Sequence, residues 1–298
     1  MRTESEVLSQ IAHWAQGNDL VRAAILTGSR VDPKPKTDFL SDYDIALYVA
    51  DLRPFKEDDV WLNVFGSIMV RWPLQPRSTF DDKWLTRLIL FGDGVRIDFQ
   101  ITDENRIDPS AYDNGYQVLI DKDALAANIN DPTFSKYLIR KPSRQEYETL
   151  VHEFWWEATY VPKYLWRGEL PFAKYMFETV LRYSYLQRLV EWYIGQRQDW
   201  KVSTGLYGKW FKRYLDAETW LELESTYAGS GIEENWEAFF RMVNLFRKLA
   251  REVGMQLGYE YPNNTDEAIT KYCSTIRETG KTDDANNRIQ ADTRTSRR

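Results

Sequence analysis

The sequence predicts an α+β protein, in which an N-terminal mixed sheet with helices is followed by a C-terminal helical bundle. In the first half, short apolar runs that suit strands stand between helical stretches. After residue 142, apolar residues recur at helical spacing, as in Leu150, Val151, Phe154, Trp155, Ala158 and Val161. We therefore predict one domain over 1–142 and a second over 143–278. The segment 279–298 has almost no apolar residues, which predicts a disordered tail.

The strands of the first domain are indicated by apolar alternation and by the turns between them. The aliphatic run 21–27 ends at Gly28 and is followed by a loop over 31–41, which contains two prolines. In 42–49, alternate residues are apolar, as expected for a strand. Further short strands at 87–91 and 95–101 flank Gly92-Asp93-Gly94, which predicts a hairpin.

The second domain is predicted to begin at a helix cap. Ser143 is followed three residues later by Glu146, the spacing of a capping box. Helical periodicity then continues, with further helices expected over 171–194, 206–226 and 233–256.

Composition limits the partners and the compartment. The chain of 298 residues has a formal net charge of −6, which argues against general binding of nucleic acid and suits a cationic small ligand. Its single cysteine, Cys273, excludes an internal disulfide framework and suits a reducing compartment. The N-terminus has the pattern of an amphipathic helix and not of a signal peptide, and no window is apolar enough for a membrane span. We expect a soluble, cytoplasmic protein; the oligomeric state is not predicted.

Three aspartates form the most informative chemical pattern. Asp42 and Asp44 are two residues apart on one predicted strand, so their side chains project from the same face. Asp98 lies on the polar face of a later strand, and the three converge if the two strands are neighbours. Carboxylates held close together repel one another unless a cation lies between them, and Mg²⁺ prefers such oxygen ligands. Taken alone, an Asp-x-Asp pattern on a strand is explained more simply by two solvated charges at a strand edge.

Gly28-Ser29, directly after the first strand, adds a phosphate-binding element. A glycine lets backbone amides approach phosphate oxygens, and the serine hydroxyl with neighbouring N–H groups can hold a triphosphate. The order of these features is a strand, Gly-Ser, a loop of about a dozen residues, paired aspartates and a later aspartate. That order resembles the polymerase-β-like nucleotidyltransferase superfamily.

The chain is similar, over most of residues 1–275, to the aminoglycoside 6-adenylyltransferase family. The segments that carry this resemblance are LTGSR (26–30), SDYDIALYV (41–49), ILFGDGVRIDFQI (89–101), LIDKD (119–123), HEFWWEATYVPKYLWRGEL (152–170) and GLYGKWFKRYL (205–215). The resemblance implies a nucleotidyltransferase sheet followed by a helical domain. It also implies transfer of AMP from ATP to a hydroxyl of an aminoglycoside, with streptomycin expected, and hence antibiotic resistance.

The same resemblance implies roles for individual residues. Asp42 and Asp44 are implied as Mg²⁺ ligands, and Asp98 as the third active-site carboxylate, acting either as a ligand or as the general base. Gly28, Ser29 and Arg30 are implied to lie near the triphosphate of ATP. The sequence differs from the family pattern at Pro162 and Tyr164, which bears on the identity of the acceptor.

The helical half is expected to bind the acceptor. Glu153 and Glu157 share a helix face beside indole rings, which suits a guanidinium or ammonium ligand. We place Trp155 and Tyr160 in the same predicted site, and Lys209 is predicted to reach the phosphates. A solvated acidic stripe beside core aromatic residues explains the first pattern equally well, and a solvated helix face explains the lysine.

Two other functions remain open at this point. The same chemistry could act on a protein or nucleic-acid acceptor, or the chain could be a catalytically silent nucleotide-binding module. The acidic net charge speaks against a nucleic-acid acceptor, and the intact set of Asp42, Asp44 and Asp98 speaks against a silent module.

Overall fold

The computed structural model describes residues 1–33, 37–75 and 83–295, with side chains through Thr279. The chain divides into two compact units, Met1–Lys136 and Tyr137–Arg298. The second unit thus begins a few residues before the boundary predicted after residue 142.

The first unit begins with helix α1 (Glu4–Gly17), as the amphipathic N-terminus predicts. Thr3 caps this helix in a capping box with Glu6, an interaction worth about 1 kcal/mol. Its apolar face consists of Val7, Ile11 and Ala15, which are four residues apart and fully buried. The helix is therefore held mainly by packing on the sheet core, since a cap alone stabilises it little.

Within the described residues, six strands form one mixed sheet in the order β3-β4-β5-β2-β1-β6. Strands β2 and β5 are parallel, whereas the other neighbouring pairs are antiparallel. The strands are β1 (Val21–Thr27), β2 (Tyr43–Val49), β3 (Ile68–Trp72), β4 (Leu85–Phe91), β5 (Arg96–Thr102) and β6 (Gln117–Asp121). A short helix, α2 (Arg53–Glu57), and 3₁₀ turns at Gly28–Arg30, Val60–Phe65 and Leu125–Asn128 connect them.

Both faces of the central strands are covered. On β2, Tyr43, Ile45, Leu47 and Val49 belong to the larger core cluster. Ala46 and Tyr48, on the opposite face, join a smaller cluster with Ala23 and Ile25 of β1. This explains why β1 is an almost continuous apolar run, because a strand buried on both faces needs no polar side.

The predicted strands are confirmed with small shifts at their ends. The first strand has the predicted bounds, and the hairpin around Gly92-Asp93-Gly94 joins β4 to β5. Asp42 is the residue before β2 and not its first residue. The strands β3 and β6 were not predicted from the sequence.

The second unit is helical. Its helices are α3 (Arg144–Ala158), α4 (Tyr160–Trp166), α5 (Leu170–Lys174), α6 (Gln187–Arg197), α7 (Phe211–Tyr214), α8 (Ala217–Glu224), α9 (Ile232–Leu257) and α10 (Asn263–Thr295). A π-helical stretch, Tyr175–Leu186, joins α5 to α6. Helical structure therefore continues without a break through the predicted helix over 171–194. Ser143 and Glu146 form the predicted capping box, and the apolar stripe from Leu150 to Val161 is buried.

Two segments of the second unit differ from expectation. The predicted helix over 206–226 is instead a 3₁₀ turn and two short helices. Gly205, Tyr207 and Gly208 have positive φ angles, and Leu215 and Asp216 are extended between the two helices. The backbone of α10 is helical to Thr295, although composition predicts a disordered tail over 279–298. Side chains from residue 280 onward lie outside the described residues, and the tail stays a prediction. Over the part of the chain that is described, no helix is long and apolar enough to cross a membrane.

Candidate active site

The parallel pairing of β2 and β5 brings two of the predicted carboxylates side by side. In the register of these strands, Asp44 lies opposite Asp98, so both side chains leave the same face of the sheet. Asp42 lies two residues before Asp44, immediately outside the strand. The sequence analysis predicted this convergence only if the two strands are neighbours. The register of β2 and β5 confirms that they are.

Negative charges accumulate around Asp44. Burial, followed by the nearby charges of Asp98 and Asp42, raises its carboxyl pKa to about 6. Burial is also the main cause of the raised pKa of Asp42, to which Asp98 contributes and which Arg96 opposes. Within the described residues, no side-chain ion pair of Asp44 is found. A half-buried carboxylate beside two others is the electrostatic environment in which a bound cation is stabilising.

Arg96 binds the other two aspartates. Its Nε and Nη2 donate to Oδ1 and Oδ2 of Asp98 at 2.9 and 2.7 Å. Its Nη1 lies 3.4 Å from Oδ2 of Asp42. Asp98 is buried, and the Arg96 side chain is 44% exposed. The sequence analysis assigned Arg96 no role, although a cation two residues from a candidate ligand was the available signal.

The donor set fits a hard divalent cation in type, since all three groups are carboxylates. The side chains are not, however, gathered around one point. Among the described residues, no three His, Cys, Asp or Glu side chains are arranged so that they could hold a metal ion. Two of the three carboxylates, those of Asp42 and Asp98, contact Arg96. Asp42, Asp44 and Asp98 are thus the residues that could hold a metal after rearrangement of side chains.

Gly28 is packed directly against Asp44. The glycine has a φ of +73°, and a Cβ atom built on it would lie 1.9 Å from Oδ2 of Asp44. No L-residue with a side chain fits there unless the carboxylate moves. Gly28 is exposed and Ser29 is half-buried at the end of β1, so the Gly-Ser turn and the carboxylates share one edge of the sheet.

Arg30 is engaged with protein groups. Its guanidinium donates to the carbonyl oxygens of Asp42 and Ser41 at 3.0 and 2.6 Å and pairs with Glu4 at 2.7 Å. It also stacks over the ring of Tyr43, 3.7 Å from the centroid, and only 4% of the side chain is exposed. Arg30 therefore holds the backbone that carries Asp42. To contact a triphosphate, its guanidinium would have to break these hydrogen bonds.

The predicted acceptor residues lie on α3 and α4 of the second unit. Glu153 is exposed and Glu157 half-buried on one face of α3. Both act on Tyr185, whose pKa is raised first by burial and then by the charges of these two glutamates. This contact could not be predicted from the sequence, because Tyr185 is distant from the two glutamates along the chain. A cleft of about 350 Å³ is lined in part by Glu153, Tyr185 and Arg188.

The other predicted ligand residues have different surroundings. Trp155 is 1% exposed and packs edge-on against Phe154 and Phe246, so it offers no free face to a ligand. This corrects its predicted role, and the cause is that the same helix stripe supplies the core. Tyr160 is half-buried with the ammonium of Lys163 5.0 Å from its ring centre. Lys209 is exposed and lies over Trp210 in the second unit.

Gly-Ser at a strand end beside carboxylates on two adjacent strands is the arrangement expected of a nucleotidyltransferase site. Comparison of the sequence agrees: the profile of the streptomycin adenylyltransferase family matches residues 1–276, and the chain belongs to this family of nucleotide-using transferases.

The chain is similar to aminoglycoside 6-adenylyltransferases over nearly their whole length. It is 34% identical to the enzyme of Bacillus subtilis (strain 168) over 281 residues, which are 93% of this chain and 98% of that protein. It is also 34% identical to the Campylobacter jejuni enzyme over 275 residues, which are 91% of this chain and 95% of that protein. The crystal structure of an aminoglycoside 6-adenyltransferase from Bacillus subtilis is 30% identical with a TM-score of 0.46, covering 93% of this chain and 99% of that chain.

Proposed function

We propose that this chain transfers AMP from ATP to a hydroxyl group of an aminoglycoside, with streptomycin as the expected acceptor. The acceptor oxygen attacks the α-phosphorus, the bond from that phosphorus to the bridging oxygen breaks, and pyrophosphate leaves. The adenylylated drug would no longer act, so the host would be resistant. Because ATP is the proposed co-substrate, we expect the reaction to occur in the cytoplasm.

The observation that carries this proposal is the pairing of Asp44 with Asp98 on β2 and β5, with Gly28 packed on Asp44. Asp42 and Asp44 would hold Mg²⁺, which when bound supplies neutralisation of the phosphate charges. Asp98 would act as a further ligand or would accept the proton of the attacking hydroxyl. Gly28 and Ser29 would bind the triphosphate through the backbone amides and the hydroxyl.

The acceptor is proposed to be a small cation. Glu153 and Glu157 offer two carboxylates beside Tyr185 on the surface of the second unit, and the net charge of the chain is −6. Ion pairs with charged hydrogen bonds from guanidinium or ammonium groups would suit such a face. Tyr160 would add a ring nearby, whereas Trp155 serves the core. No contribution of nucleic acid or membrane is proposed.

The proposal is tested by measuring release of pyrophosphate from ATP and Mg²⁺ in the presence of single aminoglycosides. We expect release that depends on an aminoglycoside, with streptomycin the best acceptor of the panel. Release with another aminoglycoside alone would keep the reaction and correct the acceptor. Absence of release with every member of the panel would contradict the proposed function.

Replacing Glu153 by Gln should raise the KM for the acceptor by about tenfold or more and leave the KM for ATP unchanged. A charged hydrogen bond is worth roughly 1.5–3 kcal/mol, and the substitution keeps the size of the side chain. Steady-state kinetics with each substrate varied in turn measures both constants. Glu148→Gln is the matched control, because Glu148 is an exposed residue of α3 that forms an ion pair with Arg144 at 3.6 Å. Equal changes in both KM values, or no change in either, would show that Glu153 is a solvated surface residue that does not bind the acceptor.

A further inference from the structure

Among the described residues, Arg96 is the cation that makes side-chain ion pairs with the proposed metal ligands. It contacts Asp98 through two nitrogens and Asp42 through the third. We propose that Arg96 takes the place of the divalent cation when none is bound, and that the two compete for Asp42 and Asp98. This inference rests on the proposed function, whose metal site uses the same carboxylates.

The geometry makes the competition direct. Both oxygens of Asp98 accept hydrogen bonds from the guanidinium, and one oxygen of Asp42 is within 3.4 Å of it. Each of these oxygens has a second lone pair, but a metal ion bound there would lie close to the guanidinium. Two positive charges at such distances also repel each other strongly in a partly buried site. Binding of a cation to these oxygens is therefore opposed by the charge of Arg96 and favours release of its side chain.

The surroundings allow the Arg96 side chain to move while the backbone that carries Asp98 stays in place. The backbone of β5 is fixed on both sides by pairing with β2 and β4, so Asp98 keeps its place beside Asp44. The Arg96 side chain is 44% exposed, whereas that of Asp98 is 12% exposed. The long side chain of Arg96 can move toward solvent without disrupting the hydrogen bonds of the sheet. In contrast, Arg30 is almost wholly buried on carbonyl groups and has no such freedom.

The competition predicts an effect of unusual sign: removal of Arg96 strengthens metal binding. We expect Arg96→Gln to lower the Kd for Mn²⁺ by about fivefold or more in the absence of nucleotide, because the cation no longer displaces an ion pair. Arg96→Lys keeps the charge and loses the two-point contact, so its Kd should lie between the two. Binding is measured on the full chain by electron paramagnetic resonance of free Mn²⁺, with circular dichroism to confirm the fold.

The matched control is Arg22→Gln, which removes one positive charge from the same unit. Arg22 pairs with Asp123 and touches none of the three aspartates, so its Kd for Mn²⁺ should stay within about twofold of the unsubstituted chain. A Kd that is unchanged or higher in Arg96→Gln would overturn the inference and leave the proposed function standing. If neither the unsubstituted chain nor Arg96→Gln binds Mn²⁺, the metal site of the proposed function fails, and the inference fails with it.

Discussion

Replacing Asp44 by Asn is expected to lower the rate of AMP transfer by about a thousandfold while the chain stays folded. Neutralisation of phosphate charge by a metal is worth several kcal/mol in the transition state, and each 1.4 kcal/mol is a factor of ten. Asparagine keeps the shape of the side chain and removes a charge that Asp42 and Asp98 oppose. Folding stability should therefore be retained or raised. Pyrophosphate release and circular dichroism measure the two properties.

The matched control for this substitution is Asp123→Asn. Asp123 is a carboxylate of the same unit, paired with Arg22 at the surface. The Asp123→Asn variant should have nearly unchanged activity. Exposed ion pairs contribute roughly 1 kcal/mol or less to folding stability, and this pair takes no part in the proposed reaction. Turnover near that of the unsubstituted enzyme in Asp44→Asn would contradict the assignment of the carboxylate site.

Replacing Gly28 by Ala should reduce activity by about a hundredfold and stability by about 1–2 kcal/mol. The stability cost comes from the positive φ of +73°, which an L-residue adopts unfavourably. The larger loss comes from the new Cβ, which would lie 1.9 Å from Oδ2 of Asp44 and must displace that carboxylate. A shift of about 1 Å in a catalytic group can cost about a hundredfold in rate.

Gly168→Ala separates these two causes. Gly168 has nearly the same φ, +70°, and no atom lies within 4 Å of the Cβ that alanine would add. Its substitution should give a similar loss of stability in thermal unfolding and little loss of kcat. If Gly28→Ala unfolds like Gly168→Ala and also keeps full activity, the close packing of Gly28 on Asp44 has no catalytic role.

Whether a strand could be predicted from the sequence depended on how deeply its residues are buried. The central strands β1, β2, β4 and β5 are buried, so their apolar patterns are clear. The missed strands, β3 and β6, lie at the two ends of the sheet order and have exposed or half-buried residues throughout. An edge strand with few buried side chains has no strong alternation to detect.

In the candidate site, short-range patterns were predictable and long-range contacts were not. The spacing of Asp42 and Asp44 predicted a shared face, strand alternation placed Asp98 on the polar face of its own strand, and the resemblance implied its role. The register that sets Asp44 beside Asp98 depends on the pairing of distant segments, which one sequence does not specify. Side-chain partners are harder still. Nothing local distinguishes Arg30, which is bonded to carbonyl groups, from the exposed Arg96, which is bonded to carboxylates.

Helix periodicity identifies a buried stripe but does not assign a ligand to it. Trp155 falls on the apolar stripe of α3, and the structure places it in the core. Its neighbour Trp156 is 61% exposed, and Glu153 and Glu157 also lie outside the fully buried set. Whether the exposed residues meet an acceptor depends on chemistry at the surface and is decided by kinetics.

The most direct test of the central claim is mass spectrometry of streptomycin after incubation with the protein, ATP and Mg²⁺. We expect streptomycin to gain the mass of one AMP, with pyrophosphate released in equal amount and no product from Asp44→Asn. The same reaction with protein or RNA in place of streptomycin should give no product that carries AMP. Transfer only to protein or RNA, or binding of ATP with no transfer to streptomycin or to any other aminoglycoside, would contradict the account.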